Sequence, residues 1–81
     1  MYIKERLRIF HMNIVYTFHA EEQIAERKIE KIWVEETIRQ PDSANSRGNR
    51  YVVSRKLNGH ALEVVYVKEK YIKVVTCYFL Q

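Results

Sequence analysis

The stretch RYVVSRKLNGHALEVVYV, residues 50–67, decides the fold. Two runs of β-branched and aromatic residues flank Asn58-Gly59. Both central positions of a type I′ turn need positive φ, which Asn and Gly tolerate best, so the stretch reads as a β-hairpin with a two-residue loop. That loop sets the register. Leu57 faces His60, Arg55 faces Leu62, Val53 faces Val64 and Tyr51 faces Tyr66. Successive side chains alternate between the two faces of a sheet, so each pair also fixes a face.

Working outward, YIKVVTCYFL (71–80) follows the charged loop Lys68-Glu69-Lys70 and reads as the next strand. A three-residue loop sets Tyr66 against Ile72, Val64 against Val74, Leu62 against Thr76 and His60 against Tyr78. One face then carries Tyr51, Val53, Arg55, Leu57, His60, Leu62, Val64, Tyr66, Ile72, Val74, Thr76, Tyr78 and Leu80. It is the richer in large apolar groups, so it is assigned to the core. The other face carries Arg50, Val52, Ser54, Lys56, Ala61, Glu63, Val65, Lys73, Val75, Cys77 and Phe79. Its outer end, Val75, Cys77 and Phe79, suggests a homodimer or partner contact.

Toward the N-terminus, PDSANSRGN (41–49) has the composition of a loop, and Pro41 stops the helix before it. That helix is expected from about Glu30 to Arg39, with Ile29, Ile32 and Trp33 as its apolar stripe and Ile38 at the edge. A shorter helix, residues 20–27, has Glu21 and Glu22 in its first turn, where the helix dipole favours them, and ends at Lys28. NIVYTF (13–18) reads as a strand. Ile3, Leu7, Phe10 and Ile14 recur at helical spacing, so residues 2–11 are expected to form a short helix. Residues 1–12 are thus read as an extension, and residues 13–81 as a single domain. The class is α+β: a β-α-α-β-β-β order, two helices packed on an antiparallel sheet, with a short extra N-terminal helix.

Composition narrows the function classes. An 81-residue chain is one small domain. No apolar run approaches a membrane span, and MYIKERLRIF lacks the apolar core of a signal peptide. The lone Cys77 cannot form an internal disulfide. The expected location is the cytoplasm. Residues 1–40 carry seven Lys/Arg and seven Asp/Glu; residues 41–81 carry seven and three, which places the whole net charge of +4 in the second half. That asymmetry suits a phosphate-bearing partner. Arg47, Arg50, Lys56 and Lys73 form the expected basic patch. The three His lack metal-ligand spacing, and no Gly-rich phosphate loop or cofactor motif is present, so neither metal nor cofactor is expected.

The same register gathers Arg55, His60, Thr76 and Tyr78 at one end of the core face. His19, at the seam between strand and helix, and Arg27, two turns further on, can reach that end. Arg offers a bidentate phosphate clamp, His a proton carrier near neutral pH, and Tyr and Thr supply hydroxyls. Each also has a structural reading: a capping His19, an ion-paired Arg27, a snorkelling Arg55, a surface His60, and Thr76 and Tyr78 as ordinary strand residues.

YTFHAEEQIAERKIEKIWVEETIRQP and GHALEVVYVKEKYIKVVTCYF, taken together over residues 14–80, resemble the bacterial family called domain of unknown function 4258. The features are a His-Ala pair, an Arg about eight residues on, a second short helix, a Pro, and a closing LEVVYV-turn-strand with Thr then an aromatic. The element order is also similar to RelE-like toxins of toxin–antitoxin pairs, including the BrnT group. The resemblance implies a small domain that cleaves or binds RNA, with His19, Arg27 and Thr76 carried over by motif position. It also implies RNA as partner, free or on the ribosome, and a protein antitoxin. One departure is Glu63, where such toxins often have Arg. A metal-independent endoribonuclease would use His19 as base or acid, Arg27 and Arg55 as phosphate stabilisers and Tyr78 as hydroxyl donor, supported by Thr76 and His60. The alternative is a non-catalytic protein-interaction domain on the same scaffold.

Overall fold

The computed structural model describes residues 12–80. Its order is β1 (Ile14–Tyr16), α1 (Phe18–Arg27), α2 (Lys31–Arg39), β2 (Ser43–Arg47), β3 (Arg50–Leu57), β4 (His60–Lys68) and β5 (Ile72–Leu80). The five strands form one sheet in the order β1-β5-β4-β3-β2, and both helices pack on one face of it. The architecture is α+β, as expected. The helix read over residues 2–11 lies outside the described residues. The sheet is mixed rather than antiparallel, because β1 runs parallel to β5. A parallel pair requires a long crossover, and here the helices and the β2–β4 meander supply it.

The β3–β4 hairpin has the register read from Asn58-Gly59. Leu57 pairs with His60, Arg55 with Leu62, Val53 with Val64 and Tyr51 with Tyr66. Asn58 and Gly59 sit at φ 51° and 86°, as a type I′ turn requires. Tyr51 and Tyr66 stack across the pair with ring centroids 5.0 Å apart.

The segment read as a loop over residues 41–49 holds a fifth strand. Ser43–Arg47 pairs antiparallel with β3 through a second two-residue turn, where Gly48 takes φ 62°. Its residues, SANSR, are all exposed because the strand forms the sheet edge. Small polar side chains with no buried face leave no alternation to read, so backbone pairing alone makes this strand.

Helix α1 begins two residues earlier than expected. Thr17, not His19, is its cap: the Thr17 hydroxyl accepts the Ala20 N–H at 3.1 Å. Lys28 ends the helix in the left-handed region at φ 54°. In α2 the buried stripe is Val34, Thr37 and Ile38, while Ile32 is 57% exposed and Trp33 is half-buried. The expected stripe was rotated by about one residue, which at 100° per residue is enough to turn Ile32 out. The core is formed by Ala20, Ile24, Ile29, Val34 and Ile38 from the helical layer against Val53, Leu62, Val64, Tyr66, Ile72, Val74 and Cys77 from the sheet. Each large aliphatic side chain buried there contributes about 1.5–3 kcal/mol.

The most consequential departure lies in β5. Lys68 pairs with Ile72 and Tyr66 with Val74, but Val65 pairs with Thr76, so a bulge leaves Val75 as the extra residue. An extra residue reverses the parity of everything beyond it. Cys77 and Phe79 therefore turn inward, opposite Val64 and Leu62, and Thr76, Tyr78 and Leu80 turn outward, opposite Val65, Glu63 and Ala61. Cys77 is fully buried and Phe79 packs against the core. The outer apolar end expected for a homodimer contact is therefore internal, apart from Val75. The phosphate-handling cluster expected on the core face is split between the two faces.

Candidate functional site

The residues proposed for catalysis do not converge. His19 is the second residue of α1; it is exposed, and its side chain makes no polar contact among the described residues. Arg27 and Arg55 instead support backbone. The Arg27 guanidinium donates to the Cys77 carbonyl at 3.2 Å. Arg55 donates to the Gln40 carbonyl at 2.7 Å, and Gln40 is the C-cap of α2. There it satisfies a helix-end carbonyl and places positive charge at the negative end of the dipole. The Arg55 Nε is buried without a hydrogen-bond partner. Tyr78 lies on the opposite face and donates to the Glu63 carboxylate, its row neighbour on β4. That bond to an acceptor carboxylate raises the phenol pKa, as does partial burial.

Thr76 and Arg27 belong to one structural device. Strand β1 covers only the first third of β5, Ile72 to Val74, leaving the edge beyond Val74 without a strand partner. Helix α1 covers it. Thr17 donates to the Val75 carbonyl at 3.2 Å, and Gln23 Oε1 accepts both the Cys77 N–H at 3.0 Å and the Thr76 hydroxyl at 2.5 Å. Arg27 takes the Cys77 carbonyl. Unpaired edge groups invite pairing with another chain, and side chains from a helix remove the invitation. Gln23 is the residue the sequence reading missed. A Gln one turn before Arg27, at i,i+4 spacing on the same helix face, is its only sequence signal. Beside it, burial raises the Cys77 thiol pKa and the nearby Arg27 charge opposes the rise, so the thiol is not an activated nucleophile.

The open face of the sheet has a different character. The register places Arg47 beside Arg50, then Val67 and Lys73, along one row. Lys56 lies on the same face at the far end of β3, opposite Ala61. The expected basic patch is thus a surface spread over β2, β3 and β5. None of these four side chains has a hydrogen bond or ion pair among the described residues. Among the described residues of these strands, the only carboxylate on the face is Glu63, which Tyr78 engages. Between the cations lie Val52, Val65 and Val67, with Ser54 and Asn45 alongside. By contrast, residues 17–40 carry six Glu against four Lys/Arg. The molecule therefore has an acidic helical layer and a basic sheet face.

His60 sits apart from both groups, edge-on to Phe79 with centroids 6.2 Å apart. It lines a cleft between α2 and the hairpin tip. No three His, Cys, Asp or Glu among the described residues are grouped as metal ligands. No helix among them is long and apolar enough to cross a membrane.

A family model described as "Domain of unknown function (DUF4258)" matches residues 16–79. No curated protein and no solved structure matches the chain.

Proposed function

We propose that this chain, which belongs to the DUF4258 family, binds single-stranded RNA on the open face of its sheet. One observation carries the reading: Arg47, Arg50, Lys56 and Lys73 share that face, and none of them has a protein partner among the described residues. A sheet face with flanking cations, hydroxyls and an apolar centre follows a phosphate backbone electrostatically while leaving room for bases. The function is binding rather than cleavage by the His19, Arg27, Arg55 and Tyr78 set. Two of those four groups are held by backbone carbonyls, one stands alone, and the fourth is on the other face.

Kinship with RelE-like toxins belongs to the same proposal. The β1-α1-α2 opening followed by an antiparallel meander supports it, as does the basic face. A protein antitoxin would cover that face, with Val52, Val65 and Val67 as its apolar footing, and would compete with RNA. Ribosome-bound RNA is one possible target.

The test is fluorescence anisotropy of a labelled single-stranded RNA across a salt series. Affinity should fall linearly with the logarithm of salt concentration. Arg47→Ala and Arg50→Ala should each reduce the slope by about one. RNA binding that both substitutions leave unchanged, or no binding at low salt, refutes the reading.

A further inference from the structure

The cleft between α2 and the tip of the β3–β4 hairpin measures about 490 Å³. Phe79 lines it. Trp33 meets Phe79 edge-on, with centroids 6.2 Å apart and planes at 61°. His60 meets it at the same distance and 66°. The three rings line the cleft together with Glu36, Lys56 and Asn58. Trp33 and Glu36 are three residues apart on α2 and so lie on one helix face. Asn58 and His60 are placed by the turn, whose backbone is fixed at positive φ.

The polar groups here are unoccupied. The side chains of Glu36, Lys56, Asn58 and His60 make no hydrogen bond or ion pair among the described residues. Aromatic faces with converging donors and acceptors are the chemistry of a ligand site. The mixture of signs selects the ligand. A cation held by the rings would meet the Lys56 ammonium, and a free anion would meet Glu36. A flat neutral heterocycle with donors and acceptors on its rim suits both. The geometry points to one unstacked nucleobase, guanine being the natural probe: its adjacent ring N–H and amino group would donate to Glu36, its exocyclic carbonyl oxygen would accept from Lys56, and its face would stack on the aromatic walls. Lys56 also belongs to the basic sheet face, so the cleft lies where a strand on that face would turn over the hairpin tip. As a pocket for an RNA base, the inference rests on the RNA reading above. As a pocket for a free nucleotide, it does not.

Trp33 is the single tryptophan of the chain, so in the folded protein tryptophan emission comes from the wall of this cleft. Guanosine monophosphate, ribose 5-phosphate and a dye-labelled single-stranded RNA containing guanosine are each titrated. Trp33 emission is followed in all three series, and dye anisotropy in the last. The expected result is quenching by the nucleotide and the RNA, and none by ribose 5-phosphate, which has no base. Glu36→Gln, at an exposed position, should raise the nucleotide concentration for half-quenching about tenfold, within the range for loss of one good base contact. RNA that binds by anisotropy without changing Trp33, together with a silent nucleotide, overturns the pocket and leaves the surface reading intact. Nucleotide quenching without RNA binding supports the pocket, makes a free nucleotide its source and overturns the surface reading. Silence in every series overturns both.

Discussion

Replacing Gln23 by Ala removes the group that closes the outer half of β5. Two hydrogen bonds end at Gln23 Oε1, from the Cys77 N–H at 3.0 Å and the Thr76 hydroxyl at 2.5 Å. After Gln23→Ala the Thr76 hydroxyl can turn to solvent, but the Cys77 amide stays in the wall of the core, because its side chain is fully buried. A buried donor left unmatched costs about 1–3 kcal/mol, and the second bond adds about 1 kcal/mol. The expected loss is therefore about 2–4 kcal/mol. An 81-residue domain is stable by only about 4–12 kcal/mol, so the loss lowers the melting temperature by about 10–30 °C. Gln23→Glu supplies an acceptor in the same place and should retain most of the stability. Urea denaturation of the three proteins, with Trp33 emission as the probe, reads the difference. RNA affinity of the Ala variant, measured where it is fully folded, should not change. A loss under about 0.5 kcal/mol for Gln23→Ala, the size of an ordinary surface change, would show that the β5 edge does not depend on α1.

Four further outcomes follow from the geometry. His19→Ala should leave both stability and RNA binding unchanged, since the ring is exposed and makes no polar contact among the described residues; RNA cleavage by the parent protein that this variant abolishes would overturn the binding-only reading. Gly59→Ala should cost about 1–2 kcal/mol in urea titrations, because Gly59 sits at φ 86° with nothing within 4 Å of an added Cβ, so backbone strain alone acts. Arg55→Met keeps the stem but loses the bond to the Gln40 carbonyl, and should cost about 1–2 kcal/mol by the same measure. Burial, then Tyr51, pushes the Tyr66 phenol up to about 12. The unfolded chain loses that proton near pH 10 and the folded chain near 12, so the stability it supports is intact below pH 10 and falls across that window, by about 2–3 kcal/mol; tyrosinate absorbance beside urea midpoints would show it, and a flat stability profile there would refute it.

The hairpin was legible in the sequence because Asn58-Gly59 is a local signal that fixes a long-range register. Both helices were legible from their periodicity and from the stops at Lys28 and Pro41. Strand β2 was not, since SANSR buries nothing and its pairing is a property of the β3 edge. The bulge at Val75 was not, and it decided the site. Val-Val-Thr-Cys-Tyr-Phe alternates acceptably in either parity, and only packing against Val64 and Leu62 chooses Cys77 and Phe79 for the inside. The basic face survived because Arg47, Arg50, Lys56 and Lys73 lie on β2, β3 and the part of β5 before the bulge. The proposed catalytic set is not brought together, because it drew Tyr78 and Thr76 from beyond the bulge. Residue type was a poor guide for Arg27 and Arg55, since a guanidinium serves a carbonyl as readily as a phosphate.

The bulge also gives this strand one place where chain length has slack. At Val75, half-buried and outside the strand pairing, a change of side chain should pass almost unnoticed. Deleting the residue would close the ladder rather than scramble it: Thr76 would follow Val74 directly and still meet Val65, Cys77 would still meet Val64, and every later side chain would keep its face. The same deletion at Tyr78 would act like a frameshift written in space, turning Phe79 out and Leu80 in. Variation in this lineage should therefore tolerate single-residue gaps at Val75 and avoid them in the rest of the strand.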